Sequence, residues 1–413
     1  MTQSSLPPEC HLTFTPIESS LGGLLIGLSA AVLLLCYGRV LGFSGILAQS
    51  TIPFASAKLP AMWRLLLVLG LVVGGIICTA IPASGFPYAT IDVNEGIYVL
   101  GGVAVGLGAS VGNGCTSGHG ICGLGRLSPR SFVAVMTFMA SAFVTAIVTI
   151  YGVGGVRCSH VSWIAWPPTV PSQPAALLLA ALVPAAATLC LVVAATFAAR
   201  GGAATTRGCT LATLLAQLIP LAVGITSGIG LVLAGMLNQH KVRGFLNLTG
   251  QWDPSLAFVM GAGAGVSLVA HRVANRMGKP LLLDEFAYPP SREFGTDGTV
   301  SCPARQQGDD KVAVTGGTRR EGSSRRGGRA DPQLIGGAII FGIGWGITGI
   351  CPGPSIVGLS SPIVALAQGD ASAYGAPWRF PVFLLASTIG LAVGERIKAR
   401  AAASAAVDAA PPS

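Results

Sequence analysis

From Gly101 to Arg130 the chain reads GGVAVGLGASVGNGCTSGHGICGLGRLSPR, too apolar to lie in water and too rich in glycine for an ordinary spanning helix. A glycine in a helix interior costs about 1 kcal/mol relative to alanine, and here the apolar run gives way to a polar, thiol-bearing stretch where a membrane helix would continue. The pattern is that of a helix that stops inside a bilayer. Irregular backbone survives at that depth only where protein buries it or where it lines a cavity. Cys115, Ser117, His119 and Cys122, with Gly114 and Gly118 beside them, are therefore candidates to face a pathway.

The rest of the chain agrees with a membrane setting. Of its 413 residues 51% are hydrophobic and 10% charged, with a mean hydropathy of +0.68, whereas soluble domains carry about 25% charged residues. The apolar runs are long and continuous rather than alternating, so the expected class is an all-α polytopic membrane protein. The formal charge of +9 lies in loops, a polar insert and the C-terminal end, the usual basic flanks of membrane helices, and does not call for nucleic acid. No Asp or Glu occurs between Gly96 and Trp252, so this part of the chain lacks the intramembrane carboxylate common in pumps and cation carriers. Cys36, Cys78 and Cys190 sit in apolar runs as small hydrophobes, and Cys10, Cys158, Cys209 and Cys302 lie in or near loops without the spacing of a secreted disulfide framework. The N-terminus shows no basic leader with cleavage site, so the first apolar run is expected to be a retained span.

In order, residues 1–20 read as a polar tail and 21–200 as a first membrane half. Ser128-Pro129 closes the cysteine-bearing stretch as an N-cap with proline at the first helical position, and the following helix should run to about Tyr151. Residues 201–210 are small and polar, a linker. The second half occupies 211–284 and 332–398, with Asp253-Pro254 expected to cap one span, and 399–413 forms a C-terminal tail. Between its parts, 285–331 is rich in Arg, Gly, Ser and Asp, a composition that cannot fill a core and predicts disorder. About nine spans result, including broken or re-entrant ones.

The two halves look alike. Aligning Cys115 with Cys351 places Gly101, Gly106 and Gly108 on Gly337, Gly342 and Gly344 at one offset, and Ser-Pro helix starts follow at Ser128 and Ser361. Upstream, GRVLGF at 38–43 resembles HKVRGF at 240–245. Carriers built from two related halves place substrate where discontinuous helices of each half meet, which puts Cys115 and Cys351 together. Helix starts carry partial positive charge and unpaired amides, so both knots, including Pro352 and Gly353 of CPGP, suit an anion. Thiols add a weak, polarizable donor that suits a sulfur-bearing one.

GNGCTSGHGICGLGRLSPRS resembles the signature of the YeeE/YedE sulfur-compound transporters, and HKVRGFLNLTGQWDPSLAFVMG with FGIGWGITGICPGP resembles the companion half that many bacteria make as a separate polypeptide. The resemblance covers most of the chain outside the tails and the insert. It implies a permease for thiosulfate or a related sulfur species, without cofactor, in which Cys115 and Cys351 are central thiols. It also implies a third pathway cysteine, for which Cys36 and Cys122 both qualify. Its partners would be the small sulfur anion and the lipid bilayer, with room for a soluble sulfur-handling protein, and its expected location is the plasma membrane, an organelle membrane being the other option.

Each site residue also has a plainer reading. Cys115 would serve close helix packing, although its repetition at 351 favours function. His119 fits a bond to a neighbouring carbonyl, and Arg126 an interface anchor, with gating its second role. The spacing Cys115-x3-His119-x2-Cys122 is not a standard zinc pattern. A thiol enzyme, a sulfurtransferase or oxidoreductase, would use the same cysteines as nucleophiles, and a metal channel is the remaining alternative. Transport rather than catalysis is the expectation.

Overall fold

The computed structural model describes residues 14–55, 62–80, 94–153, 174–201, 206–249, 252–283, 285–286, 331–368 and 378–408. Its first half contains α1 (Pro16–Tyr37), α2 (Phe43–Ala55), α3 (Met62–Ala80), α4 (Glu95–Val111), a π-helical segment Thr116–Gly123, α5 (Pro129–Ile147) and α6 (Pro174–Gly201). The second contains α7 (Thr206–Leu233), α8 (Gln239–Leu246), α9 (Ser255–Met277), α10 (Pro332–Thr348), α11 (Pro352–Val357), α12 (Ser360–Gln368) and α13 (Arg379–Asp408). Among the described residues six helices are long and apolar enough to cross a membrane. Two more crossings arise if each bent pair is one span, α4 with Thr116–Gly123 (45°) and α10 with the chain from Pro352 (48°), and Met62–Cys78 is a shorter apolar helix. The chain is an integral, multi-pass, all-α membrane protein. Exposed apolar side chains such as Leu179, Leu182 and Phe197 on α6 face the lipid side.

Local chemistry sets the helix ends. Ser128 Oγ accepts from Ser131 N at 3.4 Å ahead of Pro129, and Asp331 Oδ1 accepts from Leu334 N at 2.7 Å ahead of Pro332, each meeting an amide the first turn leaves unpaired. Asn94 and Asn238 cap α4 and α8 in the same way. At α9 the expected start shifts: the helix begins at Ser255, with Asp253 Oδ1 accepting from Ser255 N at 2.9 Å. Asp253 is fully buried and pairs with Lys241 Nζ at 3.3 Å, so it is held by α8 as well.

Helices also reach into segments expected to be loose. α1 starts at Pro16, within the proposed tail, where Thr15 N donates to Ser255 Oγ at 3.0 Å and ties the entry to α9. α7 starts at Thr206 inside the proposed linker, and α13 continues to Asp408. Residues 287–330 of the insert, and Cys10, Cys158 and Cys302, lie outside the described residues.

The two halves are related by an approximate two-fold operation. A Cβ on Gly101 would press on Thr348 and the Gly344 carbonyl, while one on Gly108 would press on Phe341 N and the Gly337 carbonyl. Because Gly101 aligns with Gly337 and Gly108 with Gly344, each contact is the image of the other, the mark of a self-complementary interface. The pairing runs in opposite sequence directions, so α4 and α10 are antiparallel and the repeats are inverted relative to one another. The remaining packing repeats the exchange. Gly23 and Gly27 of α1 lie on Val259 and Val266 of α9, and Gly70 and Gly74 of α3 lie on Leu221 and Ile225 of α7. Gly102 and Gly106 of α4 pack on α13, and Gly342 and Gly346 of α10 pack on α5. In lipid, where burial of apolar surface gives helices no net drive to associate, close approach through small residues supplies dispersion contact instead.

Candidate functional site

Both central helices end in the same way. After α4, Asn113 takes a left-handed conformation (φ 58°), and after α10 its repeat partner Gly349 does so (φ 68°). Asparagine and glycine are the residues that tolerate this region. Each turn leads into an extended cysteine, Cys115 (φ −116°, ψ −169°) and Cys351 (φ −103°, ψ 162°). Each cysteine is the N-cap of the next helical piece, its carbonyl accepting from the residue four on, His119 N at 2.9 Å and Ser355 N at 3.0 Å.

The antiparallel packing puts the two turns at opposite ends of the α4–α10 pair. Gly112 lies against Gly337 near the start of α10, and Gly349 lies against Gln239, whose side chain accepts from Tyr98 near the start of α4. Yet Thr116 Oγ1 lies 3.6 Å from Cys351 Sγ. Both knots therefore fold back toward the helix crossing and meet there. Cys115 and Cys351 are 1% and 3% exposed, so the meeting point is closed to water.

Two thiols of this group have a hydroxyl neighbour. Cys115 Sγ is 3.2 Å from Ser117 Oγ, and that oxygen also accepts from Phe43 N at 3.2 Å. Cys351 Sγ has Thr116. Cys122 Sγ donates to the Leu41 carbonyl at 3.6 Å. The Phe43 ring rests on Gly353, where a Cβ would come within 2.5 Å of it, so the start of α2 touches both knots. A Cβ on Gly118 or Gly45 would meet nothing within 4 Å, which leaves open space beside the first knot.

The other sequence candidates fall around this group. His119 bridges the end of α4 to α5, with Nε2 3.2 Å from the Gly112 carbonyl and Nδ1 3.1 Å from Ser131 Oγ. A carbonyl can only accept, so Nε2 carries the proton and Nδ1 receives one from Ser131. Gly114 is a necessary gap, since a Cβ there would lie 2.7 Å from His119 Nε2. Cys36 is buried on α1, its carbonyl accepting from Leu282 N at 3.0 Å. Arg126, half-buried, follows Cys122 by one turn. Among the described residues no three of His, Cys, Asp and Glu are grouped so as to hold a metal ion. Sequence reading missed Ser267 and Phe43. Ser267 and His271, four apart in an apolar helix, form a polar stripe that was visible, but nothing local tied it to Gly125, on which Ser267 packs.

Comparison with known proteins follows the same division into halves. Residues 10–144 match the model of a family described as sulphur transport, and residues 215–296 and 317–400 match a family of unknown function (DUF6691). A probable transporter of Xylella fastidiosa (strain Temecula1 / ATCC 700964) is 43% identical over 126 residues, 30% of this chain and 89% of that protein. The chain belongs to the sulphur transport family. A second probable transporter of the same strain is 29% identical over 183 residues, 44% of this chain and 90% of its own length. One from strain 9a5c is 33% identical over 144 residues, 35% and 74% respectively. Each relative thus accounts for less than half of the present chain. As a YeeE/YedE-like sulphur transporter the protein carries two related halves in one polypeptide and moves sulfur compounds across a membrane.

Proposed function

We propose that the substrate is thiosulfate or a related small sulfur anion, that it crosses the plasma membrane, and that it passes between Cys115, Cys351 and Cys122. The observation that carries this reading is that Thr116, the residue after Cys115, has its Oγ1 3.6 Å from Cys351 Sγ, which brings the helix-capping cysteine of each inverted repeat to one place. An anion at mid-depth costs at least about 2.5–3.5 kcal/mol per charge on insertion scales. Unpaired amides and partial positive charge at the helix starts after Cys115 and Cys351 offset part of that cost. The hydroxyls of Ser117 and Thr116 and the thiols themselves add donors without a fixed cation that would hold the anion too tightly. Sulfur–sulfur contact is soft and polarizable, which favours the terminal sulfur of thiosulfate over an all-oxygen anion. Ser117, Gly118, Pro352 and Gly353 shape the passage in this reading, and His119 and Gly114 fix the first knot.

Uptake of 35S-labelled thiosulfate by cells lacking their own permease tests it. Cells making the protein should accumulate label, and unlabelled thiosulfate should compete at least about tenfold better than sulfate, a discrimination worth about 1.4 kcal/mol. Equal competition by sulfate would remove the role assigned to the thiols.

A further inference from the structure

We infer that substrate reaches the buried thiols through the space between Gly118 and the start of α2, and that the ring of Phe43 closes the way past the second knot. The inference rests on the reading of Cys115 and Cys351 as pathway thiols, and adds to it the side of access and the residue that shuts the other side.

Phe43 touches both repeats at one position of each. Its N–H donates to Ser117 Oγ at 3.2 Å, and a Cβ on Gly353 would lie 2.5 Å from its Cδ2 and 2.9 Å from its Cε2. Ser117 and Gly353 each stand two residues past the capping cysteine. The ring therefore sits at the meeting point of the knots, held to the first by its backbone and lying on the second. It is 3% exposed, and it offers an anion no hydrogen bond in return for lost water. Its repeat counterpart in the Val-x-Gly-Phe motif is Phe245, which stacks on Trp252 (ring centroids 6.4 Å apart) and meets Phe143 edge-on at 6.2 Å. The two phenylalanines thus have different settings.

Access to the knots is unequal in the same sense. In the second, every residue from Cys351 to Gly358 is buried, and the Phe380 ring covers Gly358 as Phe43 covers Gly353. In the first, Cys115 and Ser117 are buried, Thr116, Gly118 and Gly42 are half-buried, and Gly45 is exposed. A Cβ on Gly42 would have only the Gly118 Cα near it, at 4.0 Å, and one on Gly118 or Gly45 would meet nothing within 4 Å among the described residues. Open space thus runs from Gly45 past Gly42 and Gly118 to Thr116, whose hydroxyl is 3.6 Å from Cys351 Sγ. Carriers of inverted repeats open to one side at a time as one repeat moves against the other. The contact of Phe43 with Gly353 is between repeats, so such a movement would break it.

Thiol modification in sealed native-membrane vesicles of each orientation tests this without transport. In an otherwise cysteine-free full-length protein, Gly45→Cys and Gly118→Cys place probes where a Cβ has room. A sulfonate-bearing methanethiosulfonate, an anion, should modify both from the same face, at least about tenfold faster than from the other. Adding Phe43→Ala to Gly118→Cys should raise modification from the slow face at least about tenfold. Gly353→Ala, whose methyl displaces the ring, should do the same, and Phe245→Ala should leave the ratio unchanged. Monodisperse elution after detergent extraction shows that each variant folds. Equal modification of Gly118→Cys from both faces, or from neither, overturns the inference, as does an unchanged ratio in folded Phe43→Ala or Gly353→Ala. Loss of sidedness in those two variants supports it even if the wild type takes up no thiosulfate, a result that would overturn only the proposed substrate.

Discussion

Cys115→Ala and Cys351→Ala should each lower thiosulfate uptake by about 10- to 100-fold while leaving the protein in the membrane. A hydrogen bond to a charged group contributes about 1.5–3 kcal/mol, and 1.4 kcal/mol is a factor of ten. Both cysteines are buried and both cap a helical piece without using the side chain for it. Alanine therefore removes a sulfur without removing a cap, and the loss should appear in transport rather than in folding. The two single variants should resemble each other, since the inverted repeat gives their thiols equivalent places. The double variant should fall by less than the product of the two losses, because residues sharing one ligand are not additive. Uptake and surface abundance, measured on the same cells, separate transport from expression.

Gly108→Leu should prevent assembly of a stable protein. Even the first carbon of the new side chain would lie 2.3 Å from Phe341 N and 2.7 Å from the Gly337 carbonyl, both backbone atoms that cannot rotate away. Overpacking costs about 1–3 kcal/mol where side chains can adjust, and here the helices themselves would have to separate. α4 and α10 carry the two knots, so a shifted crossing would also part Cys115 from Cys351. A substitution with the same chemistry on the lipid side sets the scale: Gly261 is exposed on α9 with nothing within 4 Å of its Cβ position, and Gly261→Leu should be tolerated. The yield of monodisperse protein after detergent extraction reads the difference.

The broken helices were legible in the sequence because what stops a helix is local. The glycine-rich runs that give way at a cysteine, Ser128 before Pro129, and the cysteines at one offset can each be read without knowing a neighbour. The pairing of the halves was legible for a related reason, since equal offsets imply equal structure. His119 was read as bonding a nearby carbonyl, and it does bond that of Gly112. What the residues did not disclose depends on contacts between distant segments. The entry of α1 is fixed at Thr15 by Ser255, 240 positions away. Phe43 reaches both knots through Ser117 and Gly353, and Ser267 packs on Gly125 from another helix. Composition marked residues 1–20 and 201–210 as loose, but helices extend into both where packing holds them.

The central claim is that two cysteines 236 positions apart share one passage, and short-range crosslinking in native membranes tests it most directly. In a variant retaining only Cys115 and Cys351, a bifunctional methanethiosulfonate with a spacer of a few atoms should join the two, giving by mass spectrometry a linked peptide that a reductant releases. Recovery of both cysteines singly modified, with no linked peptide, would contradict it.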